Sequence, residues 1–285
     1  MKLEFKINKL ALIRSVFVSN NYCRKNQKRI PFPFWIKLEN HLWKKFRDNQ
    51  AYYFINPIHL DWALDEITIG AEEKGLRNSF LNVAEKAEKI YKEIEKTKEF
   101  KRLLAETKKY KNFVENQWKK NEHFVLDYIK NTLGLKIPNY TIKVYIFHPK
   151  MPHGKANFYS KTIAWGHTED WENYSTVYLC HELMHILTYK KSKNAMLMHA
   201  IIELAIDNEL RIRLNKKGQY FKENNISVGH ESLRTLEKFI LPQWRKFLKN
   251  QDQKSSILKF EAIMLKKSPS LFKKTGAYID EGLIF

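Results

Sequence analysis

"VYLCHELMHIL", residues 177–187, sets a Glu between two His residues inside an otherwise apolar run. A run this apolar belongs in a core, and burying two imidazoles and a carboxylate is costly unless something satisfies them. Residues four apart share one face of a helix, so His181 and His185 can reach a single metal ion. Glu182 projects beside them, where a carboxylate can take the proton of a water attacking a carbonyl. The pattern is His-Glu-x-x-His, and one zinc ion per chain would satisfy the buried polar groups.

A catalytic zinc takes three protein ligands and keeps one position open. The longer signature, with a Gly and a third His at fixed distance, is excluded because Thr188 and Lys191 occupy those positions. The next helix carries "HAIIELAIDNEL", residues 199–210, which offers Glu203 and Glu209. Glu203 lies 18 residues after His185, and Asp207 follows one turn later on the same face. A carboxylate there can accept a hydrogen bond from a ligand imidazole, which fixes its tautomer and raises its basicity. His199 is the rival ligand. A short loop centred near 193–195 puts His199 level with His185; a loop ending nearer Leu197 puts Glu203 level instead. Glu203 is the expected ligand, because it alone brings a correctly placed Asp207.

His-Glu-x-x-His followed by a helix with Glu-x-x-x-Asp resembles the gluzincin metallopeptidases, the thermolysin-like branch of the zincins. The likeness covers about residues 140–210. It implies that His181, His185 and Glu203 bind zinc, that Glu182 is the general base, and that Asp207 supports His181. "ANFYSKTIAWG", residues 156–166, is similar to the substrate-binding edge strand of that family. His230 in "SVGHES", Tyr220 and Tyr278 are candidates for the group that stabilises a tetrahedral oxyanion. His148, His153 and His167 flank strand ends and are expected at the surface.

Outward from the motif the texture varies. "YTIKVYIFHP", residues 140–149, alternates and reads as a strand. "PKMPHGK" reads as a turn, and "ANFYS" and "KTIAWG" as two short strands. Asn173 or Ser175 is the expected N-cap of the motif helix, and a second helix is expected from about Ala195 to Asn215. Between Gly75 and Gly134 there is neither Pro nor Gly. Apolar residues recur there at helical spacing: Phe80, Ala84, Ala87, Ile90 and Ile94, then Leu103, Tyr110, Val114, Trp118, Val125 and Tyr128. The phase slips near Thr97 to Phe100, so the stretch reads as two or three long helices. Residues 1 to about 69 are aromatic-rich and irregular. From Gly218 onward the pattern is helical, interrupted by Pro242 and Pro269.

The 285 residues, 44% hydrophobic and 14% aromatic, describe a folded chain. The net charge is +20, but the lysines are spread along the chain without a basic block or a nucleic-acid-binding signature. Cys23 and Cys180 are too few for a disulfide framework. Arg14 splits the first apolar stretch, so no secretory signal is read; no run of 18 apolar residues exists, and the cytoplasm is the expected compartment.

The expected fold is α+β, a zincin-like core with a short sheet. Residues 1–135 form a mostly helical N-terminal region, 136–215 the core and 216–285 a helical C-terminal subdomain. The expected function is zinc-dependent hydrolysis of a peptide or protein substrate, with the N-terminal helices shaping the cleft. The alternative is a silent metal-containing module that binds nucleic acid or an acidic protein. A third possibility is a purely structural metal site, and the presence of Glu182 argues against both of these.

Overall fold

The computed structural model describes residues 1–9, 12, 92–150, 153–158, 160–250 and 255–268. The helix expected around Phe80 to Ile90, most of the aromatic-rich stretch, Cys23, Pro269 and Tyr278 lie outside the described residues. What is described is a mixture of helix and strand, in agreement with the α+β expectation.

The sheet has four strands in the order β1-β2-β4-β3. These are β1 (Lys2–Lys6), β2 (Thr141–Ile146), β3 (His153–Asn157) and β4 (Thr162–Gly166). β1, β2 and β4 are mutually parallel along the order, and β3 closes one edge antiparallel to β4. Period-two alternation decides the faces. Leu3, Phe5, Ile142, Val144, Ile146, Ile163 and Trp165 enter the main core. Tyr145 and Phe147 form a smaller cluster with Ala164. β1 had not been foreseen, and β3 begins at His153, so "HGK" is strand rather than turn.

Helix α1 (Lys98–Asp127) starts where the apolar phase slips. Thr97 is its N-cap, its side chain accepting the Phe100 amide at 3.2 Å. The stripe Phe100, Leu103, Thr107, Tyr110, Val114, Trp118 and Val125 is buried. The chain leaves α1 through a π-helical turn, Tyr128–Thr132. Helix α2 (Tyr174–Thr188) carries the motif. Asn173 is at its N-cap position but makes no side-chain cap bond. Its amide is used laterally, on Asn121 and Asn215. The first α2 amides are instead satisfied from outside, Ser175 by Glu169 and Thr176 by Gln117.

The second expected helix is a single run with a change of pitch. It comprises α3 (Ala195–Ile202), a π-helical stretch (Glu203–Leu210) and α4 (Arg211–Asn215). A small hairpin follows, β5 (Lys222–Glu223) with β6 (Ile226–Ser227). Helices α5 (Arg234–Lys249) and α6 (Ile257–Lys267) complete the described chain. Pro242 sits inside α5 instead of ending it. Pro242 and Lys238 are both exposed, so the carbonyl left without a helical partner can be hydrated. One buried apolar cluster joins β1, α1, the sheet, α2, α3 and the C-terminal helices, running across both expected boundaries. Among the described residues no helix is long and apolar enough to cross a membrane.

Candidate metal centre

Helix α2 brings His181, Glu182 and His185 to the same end of the sheet as β3. His181 and Glu182 are buried, and His185 is half-buried. The Nε2 atoms of His181 and His185 are 3.0 Å apart. His181 Nδ1 lies 2.8 Å from Asp207 Oδ1, and the tautomer with its proton on Nδ1 turns the Nε2 lone pair toward His185.

At the third position the structure groups the residues differently. Ligand atoms of His181, His185 and His199 lie within 4.8 Å of one another, whereas Glu203 joins His199 and His230 in a second such group. The cause is helix register. Asn194 caps α3 by accepting the Leu197 amide at 2.9 Å, so the helix begins early enough to bring His199 level with His185. Glu261 of α6 holds that turn, accepting from Ser192 Oγ at 2.7 Å, the Lys193 amide at 3.0 Å and the Asn194 amide at 2.9 Å. Glu203 then begins the π-helical stretch, and its carboxylate faces the loop after β6. Its Oε2 accepts the His230 amide at 2.9 Å, and its Oε1 is 2.5 Å from His230 Nδ1. Gly229, at φ +79°, makes this seat possible, because a Cβ there would overlap the Glu203 carboxylate.

Glu182 lies under the edge strand. A Cβ on Gly154 would stand 3.3 Å from Glu182 Oε1, and the Ala156 amide faces the same carboxyl. Burial pushes the Glu182 carboxyl up to about 8, opposed by the charges of His230 and Lys155. Burial lowers His181 to about 4, and it holds His185 and His199 well below the ordinary imidazole range, with neighbouring imidazoles adding to the effect. The three rings are thus neutral, as metal ligands must be.

The donor set fits a divalent transition metal. His199 Nε2 is buried with no hydrogen-bond partner, its nearest carboxylate oxygen being Glu203 Oε1 at 3.5 Å. His181 and His185 turn nitrogens toward each other. These three imidazole nitrogens, one of them without a hydrogen-bond partner, could hold a metal ion.

The remaining candidates are engaged elsewhere. Tyr220 donates to Glu209 at 2.5 Å and receives Trp244 Nε1 at 3.2 Å, so it belongs to the packing of α5. Glu209 also holds Arg213 at 2.6 Å. His148 is buried against Glu106 rather than at the surface, with Nε2 3.0 Å from Oε2. Glu237 was overlooked. It is fully buried beside Glu203, with neither oxygen hydrogen-bonded and Arg234 3.1 Å away. Its burial and the Glu203 charge push it up to about 8. The signal was present in sequence: Glu237 falls on the buried stripe Leu233, Ile240 and Trp244 of an amphipathic helix.

Comparison of the chain with protein-family models, curated proteins and solved structures finds no match.

Proposed function

We propose that the chain is a zinc-dependent metallopeptidase with a zincin-like core, hydrolysing a peptide bond in a peptide or protein. One observation carries the reading: three neutral imidazoles converge beside a buried carboxyl at the edge of a sheet. His181 and His185 hold the metal, and His199 takes the third place that Glu203 was expected to fill. When bound, the ion supplies Lewis acidity toward a water and a substrate carbonyl oxygen.

The chain's own residues do the rest. Asp207 fixes the His181 tautomer and orients the ring. Glu182 takes a proton from the attacking water and passes it to the leaving nitrogen, the work of a general base placed beside the ligands. β3 is an edge strand, so an extended peptide can add to it and lie across Glu182. A structural metal site would have no use for a titratable carboxyl beside its ligands.

The test is digestion of a mixed peptide library read by mass spectrometry. Cleavage by the zinc-loaded protein should stop on chelation and return with added zinc. Cleavage that persists at full strength without metal would refute the proposal.

A further inference from the structure

His199, Glu203 and His230 form a second group whose ligand atoms all lie within 4.8 Å of one another. It shares only His199 with the group around His181 and His185. The seat is built rather than incidental. Glu203 is fully buried, and His230 is bound to it through both backbone and ring. Gly229 is the residue type that lets the backbone approach so closely. A second clamp holds the other end of the β5–β6 hairpin: Asn208 accepts the Phe221 amide at 2.6 Å, and the buried Arg211 donates to Gln219 O at 2.7 Å and ion-pairs with Glu223. Two further fully buried carboxyl groups, Asp207 and Glu237, accompany Glu203. Arg234 is the cation paired with Glu237.

Exposure falls inward along the cluster. The His230 side chain is 52% exposed, His199 20% and His181 4%. We infer that His199, Glu203 and His230 are an acquisition station for the metal ion, which passes to His181 and His185 while His199 keeps hold of it. Two imidazoles and one carboxylate suit zinc or cobalt better than magnesium or calcium. The exchange needs no redox partner: one carboxylate and one imidazole are replaced by two imidazoles, and the ion keeps its charge. The inference rests on the proposed reading only in supposing that the chain holds a metal.

The test uses the metal-free full-length chain and cobalt(II), whose absorption reports its ligands. The double variant His181→Asn, His185→Asn should still bind one cobalt ion, more weakly than the wild type. Adding Glu203→Ala should abolish that binding. A folded double variant that binds no cobalt would overturn the station. If the double variant does not fold, zinc uptake by the wild type and His230→Ala decides. The variant should load more slowly, because the outermost donor is gone; equal rates would overturn the inference. Wild type that binds one ion, beside a folded double variant that binds none, leaves the hydrolase reading intact. A loaded wild type that cleaves no peptide sinks that reading without touching the station.

Discussion

A buried imidazole nitrogen with no partner, such as His199 Nε2, has to be matched by something, and the choice of third ligand follows from it. His199→Ala should weaken metal binding at least about 100-fold, beyond what loss of a supporting group usually costs. Glu203→Ala should leave tight binding in place, because that carboxylate is committed to His230. Isothermal titration of the two variants compares them directly. Metal retained by His199→Ala and lost by Glu203→Ala would restore Glu203 as the ligand. Asp207→Asn should cost about 10–100-fold in affinity, since an amide holds the His181 ring less firmly than a carboxylate. Gly229→Ala should lower unfolding stability by about 1–3 kcal/mol, through both the positive φ and the overlap with Glu203. An unchanged denaturation midpoint would mean that the loop seats differently.

Elements whose reasons are local were legible. The α1 stripe, the strands β2 and β4, and the motif on α2 all follow from spacing within a few residues. What escaped depends on partners far along the chain. β1 is five residues that become strand by pairing with β2. The register of α3 is held by Glu261, 67 residues beyond Asn194, and loop length alone left His199 and Glu203 open. The π-helical stretch has no periodicity signature short enough to read in eight residues. Glu261 offers the test at this scale. Glu261→Ala removes one acceptor shared by two backbone amides and a hydroxyl, of which Asn194 N and Ser192 Oγ keep each other, and should cost about 1–3 kcal/mol on denaturant unfolding. Glu261→Gln, which keeps an acceptor, should cost less. Equal stability of Glu261→Ala and wild type would show that the turn does not need this anchor.

For the whole molecule, one core serves both scaffold and site. The apolar cluster runs from β1 through α1 and the sheet to α6, so the helices that place the imidazoles are packed by elements at both ends of the described chain. That arrangement suits a centre whose ligands must stay converged without a covalent link. The central claim is hydrolysis with Glu182 as proton carrier, and one substitution addresses it. Glu182 is not among the three imidazole donors, so Glu182→Gln should keep the fold and the metal. The measurement is peptide-library cleavage by wild type and Glu182→Gln at matched zinc content. The account predicts that Glu182→Gln binds zinc normally and loses at least about 10²–10⁴-fold in cleavage rate, because an amide cannot accept the water's proton. Equal cleavage by the two zinc-loaded proteins would contradict it.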